Sequence, residues 1–260
     1  MKLSKLPKVL PGIHGPVPEQ LSELEIAGVA HDSRRIKPGW VFVAIKGHQR
    51  DGADFAVDAV ARGAIAVVAE RPLRLPQGTL QYMVPDARRA LASLANVFHG
   101  RPSRRLQIIG VTGTNGKTTT THMVRSIIEA AGQRCGLIGT IRYETGSRIL
   151  PASVTTPESV DVQEFLAEMR ANGLKYGVME VSSHALCMNR VDFVQFAAAI
   201  FTNLTEEHMD YHGNRTAYME AKQRLFRKLG PANHAVINRD DPAGEQMARA
   251  TCARVHWYGM

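Results

Sequence analysis

Ile108-Ile-Gly-Val-Thr-Gly-Thr-Asn-Gly-Lys117-Thr-Thr-Thr120 decides the fold of this 260-residue chain. An apolar run of strand character enters a turn of small residues, and a helical pattern opens at the lysine. Small residues in such a turn let backbone N–H groups converge on an anion at the positive end of the following helix. Gly113, Thr114, Asn115, Gly116, Lys117, Thr118 and Thr119 would then cradle phosphates. Lys117 would neutralise the outer ones, and the Thr118 hydroxyl would reach Mg²⁺. The glycines stand at 110, 113 and 116, whereas the strict phosphate-loop spacing asks for one at 111, where this chain has Val111.

Outward from this loop, apolar strand-like runs recur at 136–141, 176–181, 196–202 and 234–238, and helical patterns fill 117–131, 159–171 and 216–229. Strands alternating with helices of this length predict an α/β fold with a mainly parallel sheet covered on both faces, and ligands bind beyond the carboxyl ends of such strands. Upstream, Val41–Ile45 and Ala64–Val68 read as buried strands, and 54–62 and 86–98 as helices, which gives a small α/β unit of its own. The polar stretch Gly100-Arg-Pro-Ser-Arg-Arg105 reads as a linker, so the expected domains are 1–103 and 104–260.

Composition is that of an ordinary globular protein, 44% hydrophobic and 22% charged. Cys135, Cys187 and Cys252 lie far apart without a CxxC pair, which argues against a disulfide framework or zinc site and fits a reducing cytoplasm. The start, MKLSKLPKVLPGI, has no sustained apolar segment and is not a signal peptide. No run approaches the roughly 18 apolar residues of a membrane span. The formal charge of +8 raises nucleic acid as a partner, but the basic residues are scattered and aromatics are only 6%. The sign of the field favours phosphate-rich small molecules instead. No feature sets an oligomeric state.

Other residues have a structural and a chemical reading side by side. Thr155-Thr156-Pro157-Glu158 looks like a helix start, with Thr156 as N-cap and Pro157 at the first helical position. Such an N-terminus also suits an anionic ligand. Glu180 ends the apolar strand Tyr176-Gly-Val-Met-Glu-Val, where a carboxylate is costly unless paired or metal-bound. On the helix over 216–229, Tyr218, Ala221, Leu225, Phe226 and Leu229 form an apolar stripe that contains Lys222. That lysine either snorkels or is buried with a depressed pKa that supplies a neutral amine. The segment 31–52 reads as a hairpin-like pair of strands with turns at Pro38-Gly39 and Asp51-Gly52. Asp241-Pro242 could cap a helix.

The loop variant TGTNGKTTT resembles that of the Mur ligases and of their relatives, the folylpolyglutamate synthetases. The likeness continues through Thr155-Thr156-Pro157, Glu180-Val-Ser-Ser-His-Ala-Leu186, Thr202-Asn-Leu-Thr-Glu-Glu-His208-Met-Asp-Tyr-His-Gly213 and Tyr218-Met-Glu-Ala-Lys222, in the family's order. His31-Asp-Ser33 and the Gly47–Arg50 turn resemble the uridine-diphosphate-binding front domain of the tripeptide-forming Mur ligases, which folylpolyglutamate synthetases lack. Asn238-Arg-Asp240-Asp241 resembles a later nucleotide-side motif.

The resemblance implies a small UDP-binding domain followed by a phosphate-loop ATP-binding domain. The implied activity is an ATP-dependent, ADP-forming ligase of peptidoglycan and cell-wall biogenesis, a cytoplasmic enzyme on which cell shape and division depend. Its substrates would be UDP-N-acetylmuramoyl-L-alanyl-D-glutamate and a diamino acid, meso-diaminopimelate or lysine, with the sequence pattern closer to the former. Its implied catalytic residues are Lys117, Glu180, His208 and Lys222. Thr118, Glu180, His208 and a carbamylated Lys222 would hold Mg²⁺. Ser33, His48, Gln49, Arg50, Thr155, Thr156, Ser182 and Arg190 would contact the sugar nucleotide. Met188 stands where diaminopimelate-adding members usually carry Gln, which removes one polar substrate contact. The resemblance also implies a C-terminal domain that binds the incoming amino acid. These 260 residues do not include it, so the central domain is expected to be incomplete and the chain alone inactive. The alternatives are a non-catalytic nucleotide-binding fragment, a folylpolyglutamate-type ligase and a generic phosphate-loop kinase.

Overall fold

A computed structural model describes residues 1–10, 12, 19–47, 50–205, 207 and 209–260, with Met209 described by its backbone alone. The chain divides into two units, Met1–Gly100 and Arg101–Met260.

In the first unit the described elements are α1 (Leu6–Val9), β1 (Gly28–Ala30), β2 (Trp40–Val43), α2 (Ala56–Ala61), β3 (Ala64–Ala69), β4 (Leu80–Met83) and α3 (Ala87–Phe98). The strands form one parallel sheet in sequence order. Val41, Phe42 and Val43 are all buried, so both faces of β2 are covered, as uninterrupted apolar strands require. The expected hairpin over 31–52 does not form. β1 and β2 run parallel, and a 3-10 turn at Ser33–Arg35, capped by the Asp32 carboxylate, carries the chain between them. Pro38-Gly39 lies in that crossover, and Gly52 opens a 3-10 helix instead of turning a hairpin. Among the described residues of this segment, Lys46 and Asp51 pair as an isolated antiparallel bridge, and Gly47 N donates to Arg50 O at 2.9 Å.

The second unit carries β5 (Gln107–Thr112), α4 (Lys117–Ala130), β6 (Cys135–Ile138), β7 (Arg142–Glu144), β8 (Ile149–Pro151), α5 (Ser159–Ala171), β9 (Tyr176–Glu180), α6 (Ser183–Cys187), β10 (Ala198–Phe201), α7 (Met209–His212), α8 (Arg215–Arg227), β11 (His234–Asn238), α9 (Gly244–Arg249) and β12 (Arg254–Tyr258). Among the described residues they make a sheet in the order β12-β11-β10-β5-β9-β6-β7-β8, parallel except for β7 and β8 at one edge. β5, first in sequence, lies between β9 and β10, so the strand order switches at its carboxyl end. That is where an open α/β sheet leaves a crevice.

The strand expected over 136–141 stops at Ile138, because the next residues turn toward Glu180. Thr140 N donates to Glu180 Oε1 at 2.8 Å, and the chain then reverses into β7. The expected linker is also ordered: Pro102–Arg105 is a 3-10 helix packed on α5, and Ser103 is buried with its hydroxyl accepting from Gln195 N. No described helix is long and apolar enough to cross a membrane.

Candidate nucleotide and substrate site

The loop between β5 and α4 adopts its shape because glycine occupies the two positions that demand it. Gly113 and Gly116 have φ of +152° and +82°. A Cβ on Gly113 would fall 1.8 Å from Thr202 Oγ1. The chain after β10 holds the loop from the side. Asn115 N donates to Asn203 Oδ1 at 2.9 Å, Thr202 Oγ1 donates to Asn115 O at 2.7 Å, and Thr114 N donates to Asn203 O at 2.9 Å. Asn238 and Asp241 fix that chain in turn: Asn238 Nδ2 donates to Thr202 O, and Asp241 Oδ2 accepts from Leu204 N, both at 2.8 Å. Asp241 does two things at once: its Oδ1 accepts from Ala243 N at 2.8 Å where the chain turns into α9, and its Oδ2 braces the loop that braces the phosphate turn.

Lys117 lies at the first position of α4 with its ammonium folded back onto Gly113 O (2.9 Å) and Thr114 O (2.7 Å). Partial burial lowers its pKa, an effect opposed by Glu180 and Glu207. Asn115 and Thr119 are exposed on the outer side of the turn. Thr118 faces inward, and its hydroxyl donates to Glu180 at 3.0 Å.

Glu180, 1% exposed, is the centre of the polar cluster. Its carboxylate accepts from the Thr118 hydroxyl, from Thr140 N, and from the Thr140 hydroxyl at 3.0 Å. Thr140 was not legible as a site residue. Its signal is the pair Gly139-Thr140, a glycine and a polar residue that interrupt an otherwise apolar run. Thr140 Oγ1 also lies 3.1 Å from Thr155 Oγ1, which joins Thr155 to the carboxylate.

Thr156 is not the helix cap that its pattern suggests. α5 begins two residues after Pro157, with Glu158 at the N-cap. The Thr156 hydroxyl donates to Glu180 O at 2.8 Å and accepts from Ser182 N at 3.1 Å, so it ties two loops together. These partners lie far off in sequence, and no local pattern announces them. Ser182 N-caps α6 by accepting from Ala185 N at 3.1 Å. Arg190 Nη1 donates to Thr156 O at 3.0 Å, and its Nε lies 3.4 Å from Glu158 Oε2. Thr155, Thr156, Ser182 and Arg190 thus form one cluster beside Glu180. Met188 is buried and offers that cluster no polar group.

Lys222 does not snorkel: it is 1% exposed on the inner face of α8, and its ammonium sits 4.2 Å from the centre of the Tyr218 ring. Burial drives its pKa well below the ordinary value; nearby Lys117 adds to the shift and Glu207 opposes it. Between this depressed pKa and the ordinary 10.5, the unfolded chain binds more protons than the folded one. The group's contribution to stability is therefore full above 10.5 and falls away as pH drops toward the folded value. In CO₂-free buffer at pH 7, Lys222→Met is expected to stabilise the protein by about 1 kcal/mol or more, a rise of a few degrees in Tm. The gap to the wild type should narrow as pH rises. A gap that is constant from pH 7 to pH 10 would remove the burial argument.

Ser33 is buried in the first unit, where its hydroxyl helps hold the Asp58 carboxyl below the usual range. The Arg50 guanidinium lies 5.9 Å from the Phe55 ring centre. His48, Gln49 and His208 lie outside the described residues. Among the described residues no group of three His, Cys, Asp or Glu side chains could hold a metal. Glu180 and Thr118 nonetheless present a buried carboxylate and a hydroxyl, hard oxygen donors of the kind Mg²⁺ takes.

A cavity of about 570 Å³ opens elsewhere, beside the amino-terminal end of β6. Its arginines are engaged: Arg125 with Glu129 and Glu144, Arg148 with Glu168, and Arg134 with backbone carbonyls. Its Cys135 thiol is pushed up to about 12 by burial. The chemistry-bearing groups lie at the opposite, carboxyl ends of the strands.

Comparison with known proteins agrees with this geometry. Residues 111–260 match the Mur ligase middle domain, and residues 25–99 match the family described as Mur ligase family, catalytic domain. The chain is 45% identical to UDP-N-acetylmuramoyl-L-alanyl-D-glutamate--2,6-diaminopimelate ligase of Geobacillus kaustophilus (strain HTA426), with 100% of this chain and 53% of that protein aligned. The corresponding protein of Geobacillus thermodenitrificans (strain NG80-2) gives the same identity and coverage. A solved structure of a ligase with the same name superposes with a TM-score of 0.80 at 30% identity, over 100% of this chain and 53% of that one. The chain thus spans about half the length of the curated relatives it matches. With the phosphate turn, the Glu180 cluster and the front unit all in the family's order, the chain belongs to the Mur ligase family.

Proposed function

We propose that this chain supplies the sugar-nucleotide and ATP-binding part of an ATP-dependent, ADP-forming ligase. The reaction adds a diamino acid, 2,6-diaminopimelate as in the relatives' names and its meso form in this reading, to UDP-N-acetylmuramoyl-L-alanyl-D-glutamate in the cytoplasm. Residues 1–103 serve as the UDP-binding domain and 104–260 as the ATP-binding domain. One observation carries the reading: the Thr155–Thr156–Ser182–Arg190 cluster and the phosphate turn meet at one residue, Glu180, whose carboxylate accepts from Thr118 and, through Thr140, is linked to Thr155, and whose backbone carbonyl accepts from Thr156.

In this reading the D-Glu carboxylate attacks the γ-phosphorus of ATP, which forms an acyl phosphate and releases ADP. The amine of the diamino acid then adds to the acyl carbon. A proton is lost from nitrogen, and phosphate leaves as the amide forms. The protein's contribution is positioning and charge. Lys117 leaves the carbonyls of Gly113 and Thr114 for the outer phosphates, and the backbone of 113–119 holds the rest. Thr155, Thr156, Ser182 and Arg190 orient the acceptor, while Ser33 and the Gly47–Arg50 turn, with His48 and Gln49, hold its UDP end. Thr118, Glu180, His208 and Lys222 would hold Mg²⁺, which neutralises charge on the transferring phosphoryl group. Lys222, kept neutral by burial, can add CO₂ through its amine and release one proton, which gives the carbamate oxygen ligand.

Titration of this chain with ADP·Mg²⁺ and with the UDP-muramoyl dipeptide tests the assignment. Both should bind, and together. Ser33→Ala should weaken the sugar nucleotide by about fivefold, the worth of one hydrogen bond, and leave ADP unchanged. If Ser33→Ala lowers Tm but alters neither affinity, its hydroxyl serves only Asp58.

A further inference from the structure

Ser183, next to Ser182, has a partner that the scheme above does not use. His212 Nε2, at the end of α7, lies 2.9 Å from Ser183 Oγ. The same imidazole packs on Tyr218, with ring centres 5.0 Å apart. Tyr218 is 1% exposed, and its phenol oxygen lies 3.2 Å from Thr114 Oγ1, inside the phosphate turn. Thr114 Oγ1 also accepts from Thr205 N at 3.0 Å. One imidazole therefore touches, on one side, the helix start that holds Thr156 and, on the other, the tyrosine that holds the phosphate turn.

Thr114 belongs to the turn that a bound phosphate would have to rearrange. Its carbonyl accepts from Lys117 Nζ at 2.7 Å, a bond that must break when the ammonium turns to an incoming phosphate. Whatever biases Thr114 biases that exchange. Physical coupling between two ligands requires such an element, with both sites favouring one of its arrangements. We propose that His212 is a positioning residue that makes the affinity of the phosphate turn depend on occupancy of the Thr156–Ser182 cluster. Tyr218 is the intermediate: its ring follows the imidazole, and its hydroxyl sets the side chain of Thr114. The inference rests on the assignment of the two ligands under Proposed function.

The test is the Kd of ADP·Mg²⁺ for this chain, measured by calorimetry without and with saturating UDP-N-acetylmuramoyl-L-alanyl-D-glutamate. In the wild type the two values should differ by about fivefold or more. In His212→Ala the ratio should fall to within about twofold of unity, while the affinity for each ligand alone changes by less than about threefold. His212→Gln keeps a partner for Ser183 but loses the ring face, and should restore part of the ratio. Ser183→Ala should reduce the ratio, and the Ser183→Ala/His212→Ala double variant should lose no more than His212→Ala alone, because both act through one bond. A wild-type ratio of unity with both ligands bound overturns the coupling and leaves the site assignment standing. So does an unchanged ratio in both Ser183→Ala and His212→Gln, variants that keep the test open if His212→Ala does not fold. Failure of the wild type to bind either ligand overturns the site assignment itself.

Discussion

Lys117→Ala is expected to weaken ADP·Mg²⁺ binding by about 10- to 150-fold, because one charge-assisted hydrogen bond to phosphate contributes roughly 1.5–3 kcal/mol. The backbone donors of the turn remain in the variant, but its mobile cation is gone. Folding should hardly change. The ammonium's partners here, Gly113 O and Thr114 O, lie on the loop itself, and partial burial already disfavours the charge. The diagnostic result is therefore a lost calorimetric signal with a Tm within a degree or two of the wild type, roughly the uncertainty of a surface substitution. Equal affinity in the two proteins would remove Lys117 from the phosphate site.

Gly113→Ala is expected to destabilise the protein by about 3 kcal/mol, with nucleotide binding lost as well. Two costs combine. The backbone at φ +152° is one that residues with a side chain rarely adopt, and the new methyl would fall 1.8 Å from Thr202 Oγ1 and 3.0 Å from Asn203 N. Thr202 could yield only by giving up its bond to Asn115 O, which closes the turn. Gly116 is the internal control. At φ +82°, with nothing nearer than 4.0 Å to an added Cβ, Gly116→Ala carries the conformational cost alone, about 1–2 kcal/mol. Chemical denaturation should rank the two variants in that order. Equal losses would mean that Thr202 moves aside freely and does not define the turn.

The sequence announced the strand–turn–helix at Ile108–Thr120 and most of the parallel strands because these features are local: apolar runs, glycine spacing, helical periodicity. It was misleading where a residue's partners lie far along the chain. Thr156 has the composition of a helix cap, yet its hydroxyl serves Glu180 and Ser182 across the sheet. The stretch after Ile138 is apolar enough to continue a strand, but Thr140 is drawn to a carboxylate on β9. Asp241 does turn the chain into α9 through Ala243 N, but its second oxygen braces Leu204 on a neighbouring strand's exit, which no local pattern announces. Pairing direction was equally hidden in the first unit, where a short crossover through Ser33–Arg35 carries two strands into parallel register. Lys222 is intermediate: the stripe on α8 placed it on the inner face, and only its burial excluded an exposed ammonium.

The central place of β5 bears on how the second unit assembles. Gly110 pairs with Met179 on one side and Ala199 on the other, so the strand leading to the phosphate turn makes both of its ladders with segments synthesised much later. Such pairings close long loops before they return any energy, which raises contact order and slows folding. The turn itself is closed by Thr202 and Asn203, beyond the second of those partners. On the proposed function, a nucleotide would therefore recognise this unit only after β5 has gained both of its neighbours. Ligand that binds the finished turn and not the unfinished chain draws the population toward the native state by mass action, so refolding yield in the presence of ADP·Mg²⁺ reports on the last event of assembly.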